Sequence, residues 1–145
     1  YLPEEKPRHL LGVGKVEDIF EAIENGVDLF DCVIPTREAR HGRIWTANGH
    51  YDIRKSHANS PRSHKASRNA NGSMQIEKSC KCQTCKKITR PKLRRLFKEP
   101  STLQQAQRLA TIHNVYFFND LVEKIRNSIE RSQFAEFKKK FFKNL

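Results

Sequence analysis

Three of the chain's four cysteines fall in one short run, Cys80-x-Cys82-x-x-Cys85. A histidine, His113, follows on an apolar helical stripe. Three thiolates and one imidazole form a closed tetrahedral donor set that zinc takes readily. The cysteine loop can wrap three sulfurs around one ion, and the fourth ligand then ties that loop to a distant element. With no position left open, one such zinc per chain is structural rather than catalytic. Free thiols are the alternative, or disulfides in a secreted protein. Cys80 and Cys82 are too close in sequence to pair comfortably, and no signal peptide is visible. A lone helix histidine is often only core, and on spacing alone that alternative stays open for His113.

A second constellation lies upstream. Asp31 sits near the carboxyl end of an expected parallel strand, where barrel enzymes place reacting groups. After it come Pro35-Thr36-Arg37, then Arg40 and the basic turn His41-Gly42-Arg43. An acid beside several arginines suits a phosphodiester-linked substrate. The arginines grip phosphates or base edges, and the carboxylate acts as base or nucleophile. A plain salt bridge from Asp31 to Arg37 or Arg40 would use the same residues. Gly12-x-Gly14 before a helix is weak as a nucleotide loop, because the third glycine and the lysine-serine ending are missing. A tight turn explains it.

These groups need elements to hold them. His9 to Val13 reads as a short buried strand, turning at Gly12-Val13-Gly14. Val16, Ile19, Phe20 and Ile23 recur at helical spacing, with Glu17 and Asp18 in the first turn and Asn25-Gly26 as a stop. Val27 to Ile34 reads as a second strand closed by Pro35, so strand, helix and strand make a parallel βαβ unit. Ile44 to Ile53 alternates around Asn48-Gly49, which predicts a hairpin with a type I′ turn. Lys55 to Ser73 is polar and basic and reads as a mobile loop whose His57 and His64 are solvated. Ile88 to Lys98 is helical, with Leu93, Leu96 and Phe97 inward and Arg94 and Arg95 outward. Ser101 and Gln104 read as a capping box that opens a long helix. Leu103, Ala106, Ala110, His113 and Phe117 share its stripe, continued by Phe118, Leu121, Val122, Ile125 and Ile129. The segment from Phe134 to Phe142 is aromatic on one side and lysine-rich on the other; docking of its phenylalanines on the core is the commoner case, and lying on RNA or a membrane is the alternative.

The chain has 145 residues and a net charge of +12 with histidine neutral, enough for a real core and basic enough to suggest a polyanion partner. A solvated basic surface without a dedicated ligand is the plainer alternative. No apolar run approaches a membrane span, and no lipidation motif stands out. Reduced, metal-bound cysteines fit the cytoplasm. The chain opens on Tyr1, and its one methionine is Met74, so we expect a piece of a longer polypeptide.

The run Gly26-Val27-Asp28-Leu29-Phe30-Asp31-Cys32-Val33-Ile34-Pro35-Thr36-Arg37-Glu38-Ala39-Arg40-His41-Gly42 resembles the signature of the bacterial tRNA-guanine transglycosylases, also called queuine tRNA-ribosyltransferases. Leu11-Gly12-Val13-Gly14 resembles the element just before it in that family. Cys80, Cys82, Cys85 and His113 match its zinc site, and Thr111-Ile112-His113-Asn114 resembles the segment around its histidine ligand. The resemblance covers nearly all of the chain. It implies an α/β fold: the C-terminal part of a TIM (β/α)8 barrel, with a zinc-binding subdomain and a long C-terminal helix. It implies exchange of guanine at the tRNA wobble position for a 7-deazaguanine precursor of queuosine. Asp31 is then the nucleophile that holds tRNA as a covalent glycosyl-aspartate. Thr36, Arg37, Glu38, Ala39 and Arg40 match the segment that reads around the wobble base. Gly12, Val13, Gly14, Lys15, Val16, Glu17 and Asp18 match the family's other RNA contact. The zinc region resembles the family's dimer contact, which implies a homodimer.

The resemblance also implies what is elsewhere. The family's acid/base carboxylate and base pocket lie upstream, and a whole barrel takes about 250 residues. This chain would hold only the last strands: 1–43 as a final βαβ portion with the nucleophile loop, 44–100 as hairpin, basic loop and zinc-binding subdomain, and 101–145 as a helical region. The loop before Cys80 is longer and more basic than the family pattern, and the stretch between Phe97 and Thr102 departs from it. Besides an enzyme portion that is inactive alone, a non-catalytic tRNA-binding relative and a partner subunit remain open. An upstream reading frame continuing in phase would favour the enzyme portion.

Overall fold

The computed structural model describes residues 2–55 and 75–144. The loop expected over Lys55 to Ser73, with His57 and His64, lies outside the described residues except for Lys55. Two short strands open the chain, β1 (His9–Leu11) and β2 (Leu29–Asp31), with helix α1 (Val16–Glu24) between them. They pair in parallel, His9 opposite Leu29 and Leu11 opposite Asp31, as a βαβ connection requires. On α1, Val16, Ile19 and Phe20 are buried, the face its periodicity marks.

The second strand is shorter than expected. Ile34 and Pro35 do not extend it; they begin helix α2 (Ile34–Arg40). Proline suits a first helical turn, where its missing N–H would have no partner anyway and its fixed φ is already helical. The Thr36 hydroxyl and the Arg37 N–H both donate to Val33 O, which closes that turn.

A hairpin follows, β3 (Arg43–Thr46) and β4 (Gly49–Asp52), with Thr46 opposite Gly49. Its turn residues are therefore Ala47 and Asn48, and only Gly49, at φ 96°, is left-handed. The type I′ turn is replaced by one that places a single glycine just after the turn. The Thr46 side chain explains the preference, since its Oγ1 accepts from Asn48 N–H and donates to Gly49 O.

Three helices then lead to the C-terminal region: α3 (Gln83–Lys87), α4 (Arg90–Lys98) and α5 (Leu103–Glu130). The capping box does not form. Pro100–Thr102 is a 3-10 turn, and Ser101 Oγ faces the Glu99 carboxylate instead of the helix. Thr102 donates its hydroxyl to Leu96 O at 2.9 Å, so it serves the end of α4 rather than the start of α5. On α4, Arg95 is exposed as expected, whereas Arg94 is half-buried and Arg90 is buried with its guanidinium 3.8 Å from the Tyr51 ring centre. Beyond Ile125 the buried stripe of α5 shifts to Ser128, and Ile129 faces solvent. There the chain reverses through Ser132, at φ 56°, into α6 (Phe134–Lys143).

Helix α5 carries two cores. Its first half packs Ala106 and Ala110 against Ala39, Ile44, Tyr51, Ile53, Ile76, Leu93 and Phe97. Its second half packs Phe117, Phe118, Leu121 and Ile125 with Trp45 against α1. Phe20, fully buried, lies under Phe134, Phe137, Phe141 and Phe142 of α6, with ring centroids 5.1–6.2 Å away. The β1–β2 pair is different. Leu11 is 66 % exposed, Leu29 52 % and nearby Val33 59 %. Among the described residues no third strand joins this pair.

Candidate metal centre and catalytic loop

Cys80, Cys82, Cys85 and His113 meet with one ligand atom each, all within 4.8 Å of one another. The three sulfurs lie 3.6, 3.7 and 3.3 Å from His113 Nδ1. Tetrahedral zinc with bonds of about 2.3 Å to sulfur and 2.0–2.1 Å to nitrogen separates those atoms by about 3.5 Å. The spacing therefore fits zinc. Local structure sets the donors. Cys82 caps α3, and its Sγ accepts the Cys85 N–H at 3.3 Å. Thr84, fully buried, pins α3 to α5 through a 2.7 Å bond to Leu109 O. His113 Nε2 donates to Trp45 O at 2.8 Å. That bond fixes the tautomer and leaves the Nδ1 lone pair facing the sulfurs.

Three sulfurs this close contend for protons. Hydrogen bonds from Cys80 and Cys85 hold the Cys82 thiol well below its ordinary range. The hydrogen bonds of Cys85 with Cys80 and Cys82 push the Cys85 thiol up. A dication removes the conflict by taking all three as thiolates.

Asn114, the next residue, carries a role the sequence did not disclose. It is fully buried and satisfies its amide at three backbone sites. Oδ1 accepts from Trp45 N–H at 3.1 Å, and Nδ2 donates to Arg43 O at 2.9 Å and Pro35 O at 3.1 Å. His113 and Asn114 thus hold both backbone groups of Trp45, and Asn114 also holds the first turn of α2. The metal centre and the loop after Asp31 are joined through one helix. A polar residue beside an inward histidine was the only available signal.

Asp31 ends β2. Its backbone carbonyl accepts from Gly12 N–H at 2.7 Å, and the residue is exposed. Among the described residues no ion pair joins it to Arg37 or Arg40. Arg37 and Arg40 are exposed on α2; Ala39 is in the core, and Thr36 is half-buried. Glu38 is engaged by Arg43 Nη1 at 2.7 Å and Trp45 Nε1 at 2.6 Å. In the Gly12–Asp18 stretch, Gly12, Lys15 and Glu17 are exposed, Val13 and Asp18 half-buried, and Gly14 and Val16 buried. A methyl group on Gly14 would collide with Cys32 Sγ, so this glycine lets the stretch pack against the residue after Asp31. Asp28 precedes β2 rather than lying on it, and its Oδ2 accepts the Arg8 N–H at 2.8 Å.

The queuine tRNA-ribosyltransferase family model matches residues 1–145. Curated relatives of that name share 45% identity in a Thermoanaerobacter species, 43% in Clostridium perfringens and 42% in Aquifex aeolicus. Those alignments cover 99%, 97% and 99% of this chain, and 35%, 33% and 35% of the relatives. An α/β chain with a Cys3His zinc cluster and this sequence match belongs to the queuine tRNA-ribosyltransferase family. It spans about a third of the length of the curated relatives it matches. No helix among the described residues is long and apolar enough to cross a membrane.

Proposed function

We propose that this chain is the nucleophile-bearing, zinc-stabilised C-terminal part of a tRNA-guanine transglycosylase. One observation carries the reading: Asp31 ends a parallel strand, is exposed and has no ion pair among the described residues, just before a helix that exposes Arg37 and Arg40. A carboxylate is a competent nucleophile at an anomeric carbon and leaves well from an oxocarbenium-like centre. Asp31 attacks the anomeric carbon of the wobble ribose as its bond to guanine breaks, forming a glycosyl-aspartate. The incoming 7-deazaguanine then attacks the same carbon and releases the carboxylate. Arg37, Arg40 and Lys15 hold the RNA. Zinc supplies no chemistry; its ligands keep α3 on α5 and, through Asn114, keep α2 in place.

The exposed leucines of β1 and β2 support completion of a TIM barrel by further strands, because parallel sheets are covered on both faces. Residues 1–43 are then its final βαβ portion, 44–100 the zinc-binding subdomain and 101–145 its helical cover. The whole enzyme works in the cytoplasm as a homodimer. The acid/base carboxylate and base pocket come from the upstream portion, so this chain alone is inactive.

The test joins this chain to the upstream portion of the Thermoanaerobacter relative and measures labelled guanine entering tRNA. The chimera exchanges guanine, Asp31→Ala abolishes exchange, and the 145-residue chain alone gives none. Exchange that survives Asp31→Ala would refute the role of Asp31.

A further inference from the structure

A groove of about 400 Å³ lies between α2 and the β3–β4 hairpin, apart from the metal centre. Its walls carry Arg37 from α2, Arg43 from β3, and Arg54 and Lys55 just beyond β4. Two acids share it, Glu38 and Asp52. Each acid holds one guanidinium. Arg43 Nη1 donates to Glu38 Oε1 at 2.7 Å, and Arg54 Nε and Nη2 donate to Asp52 at 3.1 and 2.9 Å. Trp45 Nε1 fixes Glu38 from behind. Gly42, at φ 83°, lets the Arg54 side chain pass; a methyl there would meet Arg54 Nε at 3.0 Å.

These bonds orient the guanidiniums without exhausting them, because each carries more N–H donors than the bonds use. The Arg43 and Arg54 side chains stay 47 % and 51 % exposed. Four cations against two carboxylates leave an excess of two positive charges in the groove. Arginines already held in place lose little freedom when an anion arrives. Arg37 lines the groove and also belongs to α2, the helix that begins just after Asp31. The groove thus shares a wall with the helix that follows Asp31.

We infer that this groove binds a backbone phosphate of the RNA, next to the nucleotide that Asp31 attacks. The inference rests on the transglycosylase reading, and it adds Arg43, Arg54 and Lys55 to the RNA-contacting residues. Asp52 and Glu38 set the direction of the guanidiniums and temper their charge, so the groove prefers a singly charged phosphodiester to a denser anion.

Fluorescence anisotropy of the zinc-loaded 145-residue chain tests it. The probe is a labelled anticodon stem-loop RNA with guanine at the wobble position, titrated across a salt series. The Arg43→Gln/Arg54→Gln double variant raises Kd about tenfold at low salt and lowers the slope of log K against log salt by about one. Asp52→Asn keeps the Oδ1 acceptor used by the Arg54 backbone N–H and Nε, gives up the Oδ2 acceptor of Nη2 and deletes a negative charge beside the phosphate; the lost charge outweighs the one lost bond, so it tightens binding. An unfolded variant cannot mimic that gain. If circular dichroism shows the double variant unfolded, Asp52→Asn decides alone, and no tightening would overturn the groove. Groove variants without effect, beside Lys15→Gln and Arg40→Gln, outside the groove, that do weaken binding, would sink the groove and leave the transglycosylase reading standing. A wild-type chain that binds no stem-loop even at low salt would remove that reading, and the groove with it.

Discussion

Asn114 concentrates more structural consequence in one side chain than any other residue near the site. Its amide meets backbone groups of Pro35, Arg43 and Trp45, drawn from α2 and β3. Truncation would leave the buried Trp45 N–H without its acceptor and take a bond from the part-buried carbonyls of Arg43 and Pro35, at about 1–3 kcal/mol for the buried group and less for the others. Asn114→Ala should therefore lose on the order of 3 kcal/mol of stability in urea unfolding. Zinc content should stay near one equivalent, because all four ligands remain. Loss of zinc with unchanged stability would show that Asn114 serves the metal rather than the backbone. The same scale shows where sequence reading stops. A cysteine run and an acid among arginines announce chemistry by residue type. Asn114 does not, because its partners lie more than sixty residues away in sequence.

At the scale of elements, the metal loop is the segment least able to hold itself. Helix α3 has five residues, and of these only Thr84 is fully buried. So short a helix is not stable by itself; the ion and the Thr84 bond fix it to α5. Cys82→Ser should therefore bind much less than one equivalent of zinc and lower the melting temperature by on the order of 10 °C. Full zinc and unchanged melting in that variant would contradict the ligand assignment. Apolar periodicity made α1, α5 and α6 legible, since burial follows the stripe. Boundaries were less legible. Pro35 can end a strand or begin a helix, and the Val33 carbonyl decides it by accepting from Thr36 and Arg37. Ser101 and Gln104 had the spacing of a capping box, but Pro100 opens a 3-10 turn that takes Ser101 out of the cap position.

At the scale of the molecule, the described residues form two cores strung along α5, with a parallel strand pair that leaves Leu11 and Leu29 exposed. The zinc centre belongs to the first half of that design and the α6 aromatics to the second. Asp31 sits at the margin, on the strand pair that has no third strand among the described residues. On the proposed reading, the chain carries the nucleophile and an upstream portion supplies the rest of the site. Orientation and charge stabilisation contribute several kcal/mol each, on the order of typical enzymatic effects, and a lone carboxylate supplies neither. The central claim is that Asp31, and not its neighbour Asp28, forms the covalent bond to tRNA. The direct measurement is a denaturing gel of the chimera incubated with tRNA, read for a protein–RNA band that survives detergent. Asp31→Asn should abolish the band, because a neutral amide is a poor nucleophile. Asp28→Asn should keep it, since the Asp28 carboxylate is taken by the Arg8 N–H. A band lost in Asp28→Asn and retained in Asp31→Asn would contradict the account.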